Sequence, residues 1–176
     1  MTTPKTAGFT LLEMIAALGV FSVVIIIFSS TFLSLLNAER KAQIASTIQN
    51  NLRFAVEVMM KEIRTGTGYI VPLSPDNTSI AFFNADNESI VYRASEPVPD
   101  PRCPTGEGRR IERSEDGGTS FLPLTSEQIC IERLEFLSGG IQPRIQIVVN
   151  AAAMIQNVVS ALTVQTLISQ RKVAVP

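Results

Sequence analysis

The chain has 176 residues, enough for one modest domain. Fifteen Lys and Arg against sixteen Asp and Glu give a net charge of -1, so no basic surface for nucleic acid is expected. With no histidine and two cysteines, the sequence excludes Ser-His-Asp and Cys-His triads, His-ligated metals, four-thiolate zinc sites and iron–sulfur clusters.

Residues 1–8 are short and polar, with one cation at Lys5. From Phe9 to Leu36 the chain is almost purely apolar and holds one charge, Glu13, and no proline. As a helix this run would span roughly 42 Å, more than the roughly 30 Å of a bilayer's hydrocarbon core. A membrane-spanning helix is the direct reading. A cleaved secretory signal fits poorly, because the run is too long and Ser29 to Leu33 offer no A-x-A site. Lys5 on one side and Arg40 and Lys41 on the other leave orientation undecided by charge.

Glu13 is the most informative residue. A carboxylate inside a spanning segment costs roughly 2.5–3.5 kcal/mol on insertion scales and usually has a partner. A Glu that snorkels to the near interface is the plainer alternative. The stretch Gly8-Phe9-Thr10-Leu11-Leu12-Glu13-Met14 resembles the prepilin signature of type IV pilins and type II secretion pseudopilins. That resemblance implies cleavage by a prepilin peptidase between Gly8 and Phe9, N-methylation of Phe9, and an assembly role for Glu13. It implies an N-terminus that starts cytoplasmic, a single pass through the inner membrane, and a globular body outside. The implied partners are the peptidase, other pilin or pseudopilin subunits, an inner-membrane assembly platform and membrane lipid, without nucleic acid. No cofactor and no catalysis are expected. Many pilins carry a proline about 22 residues into the mature chain; here Phe28-Ser29-Ser30-Thr31-Phe32 lacks one, and Gly19 is the only helix breaker.

Beyond Leu36, Ile44, Ile48, Leu52, Ala55, Val56, Met59 and Ile63 recur at helical spacing, a core-facing stripe. Arg40, Lys41, Arg53, Glu57, Lys61, Glu62 and Arg64 lie mostly off it, and Gly66 and Gly68 signal a stop. One continuous helix is expected from about Thr10 to Arg64, its first half in lipid. Strand signals follow at 78–84 and 89–94 around a turn at 85–88, at 111–114 and 120–124 around 115–118, and at 127–137, 144–150 and 162–169. In these, Ile129, Ile131 and Leu137 share one parity, and Ile145, Ile147 and Val149 share another.

The expected fold is α+β, a long helix packed on an antiparallel sheet, which is also the pilin fold. The domains expected are a leader at 1–8, a transmembrane helix at 9–36, the amphipathic half of that helix at 37–64, and an extracytoplasmic β-rich domain at 65–176. Residues 90–94, 110–137 and 164–171 resemble J-type minor pseudopilins, which favours a minor subunit.

Other candidates have plain explanations beside functional ones. Cys103 and Cys130 would form a disulfide outside the cytoplasm, or remain as a free Cys103 and an inert buried Cys130. Arg109, Arg110 and Arg113 suggest a DNA contact, but Glu107, Glu112, Glu115 and Asp116 interleave with them and favour a solvated neutral surface. Asp76, Asn77, Asp86, Asn87 and Glu88 fit turn chemistry better than calcium ligation. Asn77 and Asn87 also begin short glycosylation patterns. The competing function is a signal-anchored binding domain or enzyme resting on scattered carboxylates.

Overall fold

The computed structural model describes residues 8–71, 76–139 and 144–170. A single α-helix, α1 (Leu11–Thr65), comes first. Thr10 caps it: its hydroxyl accepts from the Glu13 amide at 3.3 Å. The helix runs unbroken through Gly19 and through 28–32, as the missing proline leads one to expect. The chain divides into two compact units, Met1–Glu39 and Arg40–Pro176.

In the first unit the apolar side chains stand exposed along the helix, from Phe9 through Leu35. An 18-residue window there has a mean hydropathy of 2.7 and is entirely unburied. The hydroxyls in this run are spent locally: Ser22 donates to the Leu18 carbonyl, Ser29 to Ile25, and Ser30 and Thr31 to Ile27. A hydroxyl satisfied by its own helix adds little to the cost of entering hydrocarbon.

In the second unit the buried residues of α1 are Ile44, Ile48, Leu52, Ala55, Val56, Met59 and Ile63, the expected stripe in full. Two antiparallel sheets pack on it. The first is five-stranded, in the order β1 (Thr67–Ile70), β2 (Ser79–Phe83), β3 (Ser89–Ala94), β6 (Ile111–Ser114), β7 (Leu122–Pro123). The second is three-stranded, in the order β10 (Val158–Ser169), β9 (Arg144–Ile155), β8 (Cys130–Gly139). A small hairpin, β4 (Val98–Pro99) with β5 (Glu107–Gly108), completes the set. Ile80, Phe82, Ile90, Tyr92 and Ile111 from the first sheet join Leu134, Phe136, Ile145, Ile147, Val149 and Ile168 from the second in one core with the helix stripe. Gly66 ends the helix where no side chain fits: an added Cβ would lie 2.5 Å from Cδ2 of buried Phe82.

The α+β expectation holds, with four differences of detail. The parity expected for Ile129, Ile131 and Leu137 fails, because the β8–β9 register shifts between Ile131 and Arg133. That bulge transfers the inward set to Leu134 and Phe136 and turns Leu137 outward, 38% exposed. The strand at 144–150 continues to Ile155 and returns through Gln156 and Asn157, whose φ angles of 48° and 65° build a two-residue turn. β1 and the β4–β5 hairpin were not expected from the pattern. The strand expected at 120–124 shrinks to two residues, since Asp116 organises the loop before it. The Asp116 carboxylate accepts from the Ser114 and Ser120 hydroxyls at 2.6 Å each and from the Thr119 and Ser120 amides at 2.9 Å.

Candidate processing and assembly segment

The residues singled out at the N-terminus sit where chemistry from outside could reach them. Gly8, Phe9 and Thr10 precede α1, and all three are exposed. Phe9 is 79% exposed. Lys5 lies outside the described residues. Glu13 occupies the first turn of α1, where the amide-rich helix end favours a carboxylate. Its backbone amide is held by Thr10, but no group among the described residues bonds its carboxylate.

The rest of the chain gives a different picture. Cys103 and Cys130 are joined in a disulfide with a Cα separation of 5.7 Å, and both are buried. It fastens the loop beyond β4 to the start of β8. The Arg102 carbonyl reinforces that attachment by accepting from the Met154 amide at 3.2 Å. Among the described residues no cysteine is free.

A cleft of about 310 Å³ lies beside this loop, lined by Arg93, Glu96, Asp100, Arg110, Glu112 and Glu127 among others. Its charges are largely matched. Arg93 pairs with Glu112 at 2.9 Å, Arg110 with Glu127 at 3.1 Å, and Asp100 with Arg102 at 2.7 Å. Arg102 hydrogen bonds hold the Asp100 carboxyl at about 2, below its ordinary value. Arg93 also lies over the Phe121 ring, 3.5 Å from its centroid. No group of three or more acidic or thiol ligands is placed to hold a metal among the described residues.

The arginine cluster needs correction. Arg110 and Arg109 do lie toward solvent, but Arg113 does not belong to a solvated surface. It reaches the helix and grips Glu62, which sequence spacing had placed off the core stripe. Tyr92 joins them by donating its hydroxyl to Glu62. Burial, reinforced by Glu62, drives the Tyr92 phenol well above its ordinary value. The signal for this cluster is long-range pairing, and spacing along a single chain does not contain it. At the turns, Asn77 and Asn87 adopt positive φ angles of 56° and 63°, and the Asn84 side chain accepts from the Asp86 and Glu88 amides. Turn chemistry accounts for these residues.

The class defined by this arrangement is a single-pass, membrane-anchored protein whose α+β domain follows an apolar N-terminal helix. Residues 3–29 match the family model described as the prokaryotic N-terminal methylation motif. A motif of this kind occurs in type IV pilins and pseudopilins, and the match supports a likeness to that family over this N-terminal segment. Neither the curated proteins nor the solved structures include a match to the chain.

Proposed function

We propose that this chain is a minor pilin or pseudopilin subunit, cut between Gly8 and Phe9, methylated on Phe9, and built into a filament through Glu13. The observation that carries the reading is the Glu13 carboxylate, without a partner among the described residues, in the first turn of an exposed apolar helix within the matched segment. Hydrolysis of the Gly8–Phe9 bond turns a neutral amide nitrogen into an amine. Methylation leaves that amine able to carry its positive charge. In a bundle of parallel helices the Phe9 amine of one subunit then meets Glu13 of its neighbour. Each charge would otherwise be costly in lipid, and an opposite charge within about 4–6 Å favours the ionised forms. The pair therefore fixes the axial register of an incoming subunit.

On this reading residues 9–36 lie in the inner membrane and the β-rich domain lies outside the cytoplasm. The assembly platform in that membrane receives the subunit, and no enzymatic role is required. What favours a minor subunit is the resemblance at 90–94 and 110–137 to J-type pseudopilins. The paired charges around the cleft agree with a structural domain more than with a catalytic one. Glu13→Leu tests the assembly role: membrane insertion and leader removal should persist while incorporation into filaments falls by at least about tenfold, the worth of one lost charge pair. Normal incorporation of Glu13→Leu would contradict the role.

A further inference from the structure

We infer that the outer edge of β10 seats an extended, uncharged segment of a different protein, which adds a fourth strand to the three-stranded sheet. β10 ends its sheet and pairs only with β9. The two-residue turn makes Ile155 and Val158 a hydrogen-bonded pair. The even-numbered residues of β10 therefore bond to β9, and the odd-numbered ones turn their N–H and C=O outward. The outward groups of Val159, Ala161, Thr163, Gln165 and Leu167 have no partner among the described residues. Exposed edges are normally blunted by shortness, charge, proline or a bulge. The other edges here follow that rule. β1 has four residues with a register shift, and β7 has two, one of them Pro123. β8 is covered on its far side, where the Ile131 and Phe136 amides donate to the Arg109 and Asn77 carbonyls. β10 is the exception: twelve residues, VVSALTVQTLIS, with no charge and no proline.

The surroundings of the edge define what fits it. On the helix side Leu162 and Val164 are only half-buried against the core, as is Met60 of α1, whose sulfur accepts from the Thr166 hydroxyl at 3.5 Å. An added strand would lay every second side chain over this rim, so those side chains must be apolar. On the other side Val159, Ala161, Thr163, Gln165 and Leu167 are exposed and uncharged, and an ionic side chain would meet no counter-charge on the strand. A second copy does not supply the segment. β10 set antiparallel to β10 points the two α1 helices in opposite directions, which anchoring in one membrane forbids. β10 set parallel to itself about a two-fold brings identical amides face to face. The β1 and β7 edges of a neighbour are too short. The occupant is therefore a strand of another polypeptide, held by main-chain bonds along the edge and by alternate side chains over Leu162 and Val164. Neither leader removal nor Glu13 enters, so the strand seat and the filament role can fail separately.

The probe is a fluorescent peptide, blocked at both ends, that copies β9 residues 145–153, IQIVVNAAA, uncharged and apolar at alternate positions. It should bind the full chain in detergent. Binding should slow hydrogen exchange at the Ala161, Thr163 and Gln165 amides by about tenfold or more and leave Leu162 and Val164, already bonded to β9, unchanged. Thr163→Pro removes an outward N–H without touching the β9 ladder, and Thr163→Lys adds a charge. Each should weaken peptide binding by about tenfold or more at an unchanged unfolding midpoint. In the membranes of its own cells, a benzophenone coupled to Thr163→Cys should give an adduct with a different protein, and the peptide should displace it. Absence of peptide binding, protection that spares the odd-numbered amides, binding indifferent to both Thr163 variants, or adducts with a second copy alone would overturn the inference.

Discussion

Arg113 holds the Glu62 carboxylate with two guanidinium nitrogens, Nη2 at 2.7 Å from Oε1 and Nε at 3.1 Å from Oε2. The side chains are only 19% and 22% exposed, and Glu115 flanks the arginine from the solvent side. This fork joins the last turns of α1 to β6, while Tyr92 brings β3 to the same carboxylate. The helix and the first sheet are thereby locked in register as well as packed.

Removing one partner should therefore cost more than an ordinary surface ion pair. Glu62→Ala leaves a guanidinium and a phenol unmatched in a half-dry site and should lower the unfolding free energy by about 2 kcal/mol. The combined replacement Glu62→Leu, Arg113→Met and Tyr92→Phe should lose less than the sum of the single changes. Denaturant unfolding of Glu62→Ala, of the three single changes and of their combination measures both. A loss under about 0.5 kcal/mol for Glu62→Ala would class the fork with surface pairs.

The pH profile has two predicted limbs. Asp100 is lowered to about 2 by Arg102, and Asp116 is lowered further by the Ser114 and Ser120 hydroxyls, from an ordinary value of 3.8. Both bind protons less readily folded than unfolded, so their contribution is present above about 3.8 and is lost as pH falls through the folded values. At the other end, burial pushes Tyr69 up to about 12 and Tyr92 further. These phenols hold protons more tightly when folded, so their contribution is present below pH 10 and is lost as pH rises toward 12. Between the limbs the sequence has no histidine and both cysteines are bonded. Unfolding midpoints should therefore stay level from about pH 5 to 9 and fall on both sides.

The Cys103–Cys130 bridge closes a sequence separation of 27 residues. Chain-entropy arithmetic for such a loop gives about 3.5 kcal/mol. The double change Cys103→Ser and Cys130→Ser should lose about that much stability, and the loop beyond β4 should become the first site of proteolysis. Thiol titration of the unreduced, unfolded chain should find no reactive thiol; a count of two would mean the bridge is absent from the native protein.

Periodicity made the helical half of the core readable, because a seven-member stripe over Ile44 to Ile63 has one structural meaning. It also located most strands, since alternation in Ile145, Ile147 and Val149 fixes a face. It could not anticipate a bulge: Leu137 keeps its parity with Ile131 in the sequence and loses it in space. The Gln156–Asn157 turn was illegible because neither residue is glycine, although both adopt positive φ. Glu62 and Arg113 are 51 positions apart, and an ion pair of that separation leaves no local trace. At the N-terminus the opposite holds. The meaning of Gly8, Phe9 and Glu13 lies in their order along the chain, and within one isolated subunit the Glu13 carboxylate has no partner among the described residues.

Assembly through Glu13 requires a new amine to appear next to lipid at Phe9. Intact-mass analysis of the protein purified from the membranes of its own cells tests this most directly. The account predicts a chain that begins at Phe9 and carries about 14 Da more than the bare sequence, one methyl group in place of a hydrogen. A functional chain that keeps residues 1–8, with Phe9 still in amide linkage, would contradict it.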